Sequence, residues 1–158
     1  MPVEHALWKL GEKAKRLPDS KLQSEKDLED LICDDISILN ENWLLIGRQV
    51  STAFGKLIDL LALDRSGSLI VIELKKDKTP REVVAQVLDY GSWVRNLGDT
   101  DIAEIFETFN DGEKSLNEAF QEKFGITIDE DSLNDTHQLL IVAAEVDLST
   151  ERIVNYLI

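Results

Sequence analysis

Residues 55–94 read GKLIDLLALDRSGSLIVIELKKDKTPREVVAQVLDYGSWV, and this stretch decides the fold. Two apolar runs, Leu57–Asp64 and Leu69–Lys75, lie on either side of the short polar segment Arg65–Ser68. Apolar runs of this length around a glycine-containing turn predict two antiparallel strands joined as a hairpin. The second run is apolar at every position before its acidic residue, which is typical of a strand covered on both faces.

The register of this hairpin predicts where its charged side chains meet. A turn centred on Ser66-Gly67 sets Asp59 opposite Leu74, within one residue of Glu73. Because side chains alternate along a strand, Glu73 and Lys75 share a face. Two neighbouring carboxylates need a counter-charge, which a divalent cation supplies, with the lysine as a partial alternative. The hairpin therefore predicts a Mg²⁺ or Mn²⁺ site beside a lysine that acts on the attacking water or on a phosphate.

The segments around the hairpin predict further helices and strands. Ser24 is a plausible N-cap for a helix over residues 25–39, and Trp43–Val50 is typical of a strand. After the hairpin, Thr79 predicts an N-cap, Pro80 the first helical position and Glu82 a capping box, in a helix that ends before Gly98.

The remaining third of the chain predicts three helices and a strand. Helices are expected near Ile102–Phe109 and at Leu116–Phe124, the second capped by Ser115 with Glu118 and ended by Gly125. A buried strand over Gln138–Val146 and a helix over Thr150–Ile158, capped by Ser149, complete the chain.

The order of these elements predicts an α/β fold, a restriction-endonuclease-like mixed β-sheet flanked by helices with an αβββαβ core. We expect a single nuclease domain over residues 1–158. Its core comprises about 20–97, the strand 138–146 and the helix 150–158, and 99–136 forms a helical insertion. The abrupt apolar ending, YLI, leaves open that the chain is the N-terminal part of a longer protein.

The net charge of −14 argues at first sight against a nucleic-acid partner, but its distribution is uneven. Residues 1–98 carry a net charge of −2 and residues 99–158 a net charge of −12. The second half of the hairpin and the start of the next helix carry a basic cluster, formed by Lys75, Lys76, Lys78 and Arg81. The local charge beside the predicted site is therefore compatible with phosphate contacts.

Composition also bounds where the protein works. No apolar run approaches the roughly 20 residues that span a bilayer, and the N-terminus is too charged for a signal peptide. Cys33 is the only cysteine, so an internal disulfide is excluded. We expect a cytoplasmic protein with no membrane partner and no organic cofactor.

The hairpin resembles the active site of the PD-(D/E)XK nuclease superfamily. The matching residues are ID at 58–59 and IELK at 72–75, with Ile58 where the family name has proline. The resemblance implies that Asp59, Glu73 and the Leu74 carbonyl bind the metal and that Lys75 is catalytic. The helix after the hairpin carries QVLDY, with Gln86 and Tyr90 on one face, similar to the QxxxY motif of RecB-like nucleases.

Residues 20–97 as a whole look like the catalytic core of NucS-type endonucleases, although Lys56 stands where arginine is more common. In such relatives the first helix brings an acidic residue to the metal. Glu25 resembles that residue, and Glu29, one turn away, is the competing choice. The resemblance implies a Mg²⁺-dependent deoxyribonuclease, and we expect an endonuclease of DNA repair or restriction. The alternative is a nuclease-fold domain that binds nucleic acid or protein without cutting.

The predicted partner is DNA, and a homodimer is a further possibility. A basic rim around the site is expected to bind the substrate, with residues 99–136 on a face turned away from it. The expected substrate-binding residues are Lys56, Lys76, Lys78, Arg81 and, near the end of its strand, Arg48.

Overall fold

The computed structural model describes Trp8–Lys9, Lys13, Lys15–Arg16 and residues 23–158. The first two strands, β1 and β2, form a separate antiparallel pair. The start of the expected core, residues 20–22, lies outside the described residues. The elements are β1 (Trp8–Lys9), β2 (Lys15–Arg16), α1 (Glu25–Asp34), β3 (Trp43–Ser51), β4 (Leu57–Asp64), β5 (Leu69–Thr79), α2 (Glu82–Val94), α3 (Asp99–Phe109), α4 (Leu116–Phe124), β6 (His137–Val146) and α5 (Leu148–Leu157).

Four strands form the main sheet, in the order β3-β4-β5-β6. Strand β4 is antiparallel to both β3 and β5, and β6 pairs with β5 in parallel after the helices α2, α3 and α4. The mixed sheet and the αβββαβ order of its core confirm the predicted fold class. Within the described residues, no helix combines the length and apolar character needed to cross a bilayer.

The sheet separates two apolar cores. Ile32 of α1 packs on one face against Leu60, Ile72 and neighbouring residues. Helices α2, α3 and α4 cover the other face, where Tyr90 packs with Leu61 and other buried side chains. Burial on both faces explains the unbroken apolar run in β5. The two layers fix the open end of the β4–β5 hairpin between α1 and α2.

The β4–β5 turn is held by its own side chains. The Asp64 carboxylate accepts hydrogen bonds from the backbone N–H groups of Ser66 (2.8 Å) and Ser68 (3.0 Å). Gly67 adopts a positive φ of 84°, which a side chain would strain. The turn lies where the sequence predicts it, but the pairing is displaced by one residue from the expected register. Leu60 pairs with Ile72, and the pairing stops before it reaches Asp59.

The predicted start of α2 is wrong. Strand β5 continues to Thr79, which is fully buried and receives a hydrogen bond from the backbone of Asp147. The helix begins at Glu82, and Arg81 at its N-cap makes no side-chain capping bond. Pairing with β6 extends β5 through residues that sequence patterns assign to a capping box, because a neighbouring strand can supply partners that a local pattern does not reveal.

Other element ends are also corrected. Helix α1 stops at Asp34, and a short 3-10 helix follows over residues 36–38. Gly98 does not terminate α2, which ends at Val94; it is the N-cap of α3. Asp147, not Ser149, caps α5 and accepts a hydrogen bond from the Ser149 backbone.

The predicted caps of α1 and α4 are confirmed, whereas the predicted burial of β6 is not. Ser24 caps α1 through the Asp27 N–H, and the Ser115–Glu118 capping box and Gly125 bound α4. Strand β6 forms where expected but is only half-buried, so the prediction of a buried strand is wrong. The reason is its place at the sheet edge, where an apolar strand is covered on fewer sides.

Candidate active site

The candidate site lies at the open end of the β4–β5 hairpin. Asp59 is near the start of β4, and Glu73 and Lys75 follow the buried part of β5. Helix α2 contributes side chains from the face on which Glu73 lies, while α1 approaches from the other side. Four elements thus meet where the antiparallel pairing of β4 with β5 stops at Leu60 and Ile72.

Asp59 takes the place of a strand partner for β5. Its Oδ2 accepts the Leu74 N–H at 2.8 Å, and its Oδ1 accepts the Gln49 side-chain amide at 3.2 Å. Burial raises the pKa of the Asp59 carboxyl, although both hydrogen bonds act in the opposite direction. The carboxylate is therefore held in place, in an environment that would favour a nearby cation.

Glu73 is the most deeply buried acidic residue of the site, with 2% of its surface exposed. Its Oε1 accepts hydrogen bonds from Lys75 Nζ and Gln86 Nε2, both at 2.8 Å. Among the described residues, its Oε2 has no hydrogen-bond partner. Burial raises the Glu73 pKa, Lys75 opposes the shift and the charge of Asp59 adds to it. A buried carboxylate oxygen without a partner carries an electrostatic penalty that a cation would remove.

Lys75 shares a face with Glu73, as the alternation along β5 predicts. Its partial burial alone would lower its pKa, but the hydrogen bond and negative charge of Glu73 outweigh burial and raise it. Lys75 therefore holds its proton in the free protein, and its ammonium group is positioned by the acid two residues before it.

Gln86 and Tyr90 connect α2 to both strands of the hairpin. Gln86 Nε2 lies 2.9 Å from the Tyr90 hydroxyl, and that hydroxyl donates to the Leu57 carbonyl at 2.7 Å. Tyr90 is almost fully buried, with 1% of its surface exposed. The predicted pair therefore forms one hydrogen-bonded path from β4 through α2 to Glu73, and this path orients the buried carboxylate.

The donor set fits a divalent cation held by two carboxylates. Oxygen donors of Asp59 and Glu73 lie on adjacent strands, and the Leu74 backbone N–H contacts Asp59. Among the described residues, no three His, Cys, Asp or Glu side chains form a metal-binding group. Mg²⁺ commonly uses one or two carboxylates and fills its other positions with water and substrate phosphate. The unpartnered Glu73 Oε2 is the feature that such an ion would satisfy.

Both candidate acids of the first helix lie near the site, in different environments. Glu25 is exposed and accepts the Lys76 backbone N–H at 3.2 Å. Glu29 is buried, with 8% of its surface exposed, and binds Arg48 and Gln49. Glu29 is therefore linked to Asp59 through Gln49, whereas Glu25 contacts the backbone of β5 at Lys76.

Gln49 is the site residue that the sequence motifs miss. It lies in β3, has a positive φ of 49°, and its amide group contacts both Glu29 and Asp59. No motif spacing singles it out, because its partners lie 20 residues before it and 10 residues after it. The alignment of β3 beside β4 brings Asp59 to Gln49, and the position of α1 brings Glu29 there.

The expected basic rim is partly neutralised by acidic neighbours. Lys78 pairs with Glu145 and Asp147, and Arg48 is bound by Glu29 and Asp30. Lys56 lies 3.8 Å from Asp89, and Arg81 lies 3.7 Å from the adjacent Glu82. Lys76 makes no ion pair within the described part of the chain. Lys76 is thus the rim cation with the least neutralised charge, while substrate binding by the whole set stays a prediction.

We expected residues 99–136 to lie on a face turned away from the site, but part of this segment lies near it. Helix α3 packs against β3, and the two elements bound a groove of about 700 Å³. Gln49 lines this groove together with Asp101 and Glu104 of α3. Part of the acidic segment therefore lies on the same side of the molecule as Gln49.

This chain resembles known proteins in sequence. A family model described as the endonuclease NucS C-terminal domain matches residues 24–106. Endonuclease NucS of Sulfolobus acidocaldarius is 29% identical over 75 residues, which are 48% of this chain and 30% of the relative. Endonuclease NucS of Micrococcus luteus is 38% identical over 52 residues, which are 33% of this chain and 22% of the relative.

Solved structures show the same fold. The crystal structure of a repair endonuclease from Pyrococcus abyssi has a TM-score of 0.53 and 16% identity, covering 88% of this chain and 46% of that chain. An EndoMS–dsDNA complex has a TM-score of 0.52 and 16% identity, covering 90% of this chain and 46% of that one. The chain spans less than half the length of these structures. Because the family model matches more than half of the chain, the chain belongs to the endonuclease NucS C-terminal domain family.

Proposed function

We propose that this domain hydrolyses phosphodiester bonds in DNA as a metal-dependent endonuclease, with Asp59, Glu73 and Lys75 at the reacting centre. The observation that carries the proposal is the buried Glu73 carboxylate, whose Oε2 has no hydrogen-bond partner among the described residues. A nearby cation would balance the two carboxylates, since Lys75 alone offers one positive charge to both. Membership of an endonuclease family supports the reaction class.

Mg²⁺ or Mn²⁺ is the proposed cofactor, held by Asp59, Glu73 and the Leu74 carbonyl, with Glu25 or Glu29 as the assisting acid. When bound, such an ion lowers the pKa of a water and stabilises charge on a phosphate. No organic cofactor is proposed.

Three residues of the site have roles besides metal binding: Lys75 provides a proton donor, and Gln86 and Tyr90 orient the Glu73 carboxylate. Lys75 Nζ carries a proton in the free protein and is held beside Glu73, from where it can donate to a phosphate oxygen or orient the attacking water. Gln86 fixes the Glu73 carboxylate, and Tyr90 fixes Gln86 against the backbone of β4. These contacts orient the acidic group before any substrate arrives, which is how preorganised sites lower a barrier.

DNA is the proposed substrate and partner. An EndoMS relative was solved with double-stranded DNA, which supports the same partner here. Binding through Lys56, Lys76, Lys78, Arg81 and Arg48 remains part of the proposal, as does a homodimer that would enlarge the DNA-binding surface. Since the domain is strongly acidic, we expect its affinity for DNA to be low.

The function is tested by cleavage and by metal binding, measured separately. The protein is incubated with single-stranded, duplex, flapped and mismatched DNA in Mg²⁺ or Mn²⁺, and Mn²⁺ binding is measured by calorimetry without DNA. We expect the wild type to cleave and to bind Mn²⁺, and Asp59→Ala and Glu73→Gln to lose both. Mn²⁺ should also raise the melting temperature of the wild type but not that of Asp59→Ala or Glu73→Gln, because a ligand of the folded state at 100 times its Kd stabilises by about 2.7 kcal/mol.

The matched control is Asp64→Asn, which alters an aspartate of the same hairpin at the turn. Cleavage and Mn²⁺ binding that are the same in Glu73→Gln as in the wild type would overturn the proposed centre. DNA binding without cleavage under every metal condition would instead support the non-catalytic alternative.

A further inference from the structure

Gln49 of β3 has a left-handed backbone conformation, which interrupts the regular alternation of side chains between the two faces of the strand. Gln49 has a φ of 49°, a conformation uncommon for residues other than glycine, asparagine and aspartate. Pairing continues on both sides of it, with Arg48 opposite Leu60 and Val50 opposite Ile58. In a regular strand Arg48 and Val50 would share a face. Here Arg48 binds the acids of α1, while Val50 packs in the core beneath α2 and α3.

This reversal aims the Gln49 side chain between two carboxylates. Its Nε2 lies 2.8 Å from Glu29 Oε2 and 3.2 Å from Asp59 Oδ1. A carboxamide nitrogen carries two hydrogens, so one group can donate to both acids. It does so without adding charge, whereas a lysine there would compete with a cation and a glutamate would add a third negative group.

The Glu29 carboxylate, which accepts one of the two Gln49 hydrogen bonds, is itself held in place by other contacts. Glu29 is buried and its other oxygen accepts the Arg48 Nε–H. Arg48 also binds Asp30 at 2.5 Å. The Glu29 carboxylate is therefore fixed on α1. Because the Gln49 amide is held by Glu29, its hydrogen bond to Asp59 comes from a fixed position.

We propose that Gln49 is a positioning residue of the active site, whose amide holds the Asp59 carboxylate in the orientation that accepts the Leu74 N–H. This inference rests on the proposed function for its catalytic meaning, because Asp59 is a proposed metal ligand. In this proposal Gln49 acts through Asp59 and is not assigned as a metal ligand. Residues that orient a metal ligand through hydrogen bonds change metal affinity or activity about 10–100-fold when they are removed.

The deciding variant is Gln49→Asn. Asparagine tolerates a positive φ better than glutamine does, so the strand reversal is retained. Its side chain is one methylene shorter and cannot span Glu29 and Asp59. We expect Mn²⁺ affinity and cleavage per folded molecule to fall about 10–100-fold, because the Asp59 carboxylate loses its fixed orientation. A residue with only a structural role would lower stability and leave the affinity per folded molecule unchanged.

A second readout needs no metal. If Gln49 fixes Asp59, the Leu74 N–H should exchange with solvent at least several-fold faster in Gln49→Asn, while the exchange of the Ile72 N–H, within the paired part of β5, stays unchanged. Equal Leu74 exchange in both proteins would overturn the positioning role. Failure of the wild type to bind Mn²⁺ would overturn the proposed function instead, so the two ideas can fail separately.

Discussion

Two aspartates of β4 hold opposite ends of the same hairpin, and they do so with different kinds of partner. Asp64 Oδ1 accepts the N–H groups of Ser66 and Ser68 and the Ser66 hydroxyl, all within four residues. Asp59 accepts from Gln49 and Leu74, which lie 10 and 15 residues away. At the turn end, all hydrogen-bond partners of Asp64 come from one short segment. At the open end, the site is formed by residues from four different elements. The first arrangement stabilises a turn, and the second holds a carboxylate in a position that a ligand can use.

The same contrast extends to the proton affinity of acidic groups. Asp147 caps α5 through Ser149 and pairs with Lys78, and these contacts lower its pKa to about 2. At the site, burial raises the pKa of both Asp59 and Glu73. Locally bonded carboxylates therefore favour the folded state, while the site carboxylates are held at an electrostatic cost. Such a cost is typical of functional sites.

The largest expected effect separates the two hairpin ends directly. Asp59→Asn should lower cleavage about 1000-fold or more, because several kcal/mol of charge stabilisation depend on metal binding. Asp64→Asn should leave cleavage per folded molecule unchanged and lower the free energy of unfolding by about 1–3 kcal/mol, through weakened bonds to the turn. The measurements are turnover and denaturant unfolding. Similar losses of turnover in both variants would contradict the contrast.

The next effect concerns Lys75, the cation of the open end. Lys75→Ala should lower turnover about 100–10,000-fold, as expected when a group that positions or transfers a proton is removed. Lys75→Arg should not restore it fully, because guanidinium is larger and effectively never gives up its proton. Circular dichroism should report an unchanged fold. Wild-type turnover in Lys75→Ala would exclude the assigned role.

A smaller effect is expected at the rim of the open end. The Lys78→Glu, Arg81→Glu double variant should bind DNA more weakly with Ca²⁺ in place of Mg²⁺. The slope of its binding constant against salt should fall by about one for each phosphate that the protein no longer neutralises. Lys76→Glu should have a larger effect than Lys78→Glu, since Lys78 already pairs with Glu145 and Asp147. Unchanged affinity and slope in every variant would show that DNA does not pass over this rim.

The smallest effect tests a locally bonded acid by pH. The folded pKa of Asp147 lies at about 2, below the ordinary value of 3.8, so the folded state binds this proton less readily than the unfolded state. Its contribution to stability is therefore complete above about pH 4 and is lost as pH falls towards 2. In Asp147→Asn, the free energy of unfolding should depend less on pH between about pH 4 and pH 2. An equal loss of stability in wild type and variant over that pH range would contradict the lowered pKa.

Local patterns were sufficient for much of this molecule. Strand β4, the start of β5, the turn at Ser66-Gly67 and the Ser115–Glu118 capping box form where the sequence predicts them. Each depends on residues a few positions apart, so the information is complete within one segment. The alternation of Glu73 and Lys75 along β5 is of the same kind, and their hydrogen bond agrees with it.

Predictions failed where a distant partner competes with a local pattern. Thr79, Pro80 and Glu82 match a helix start, yet pairing with β6 keeps Thr79 in β5. The hairpin register also moved by one residue, although Asp59 still reaches β5 through the Leu74 N–H.

The sequence by itself determined the αβββαβ order, the hairpin and the set of chemical groups at its open end, because strand alternation and turn chemistry act over short distances. Tertiary structure alone decided that Gln49 joins Glu29 to Asp59, that Tyr90 supports Gln86 from the Leu57 carbonyl, and that one oxygen of Glu73 is buried. Those facts depend on which elements pack side by side, and hydrogen bonding and burial across such contacts leave no periodic signal along the chain.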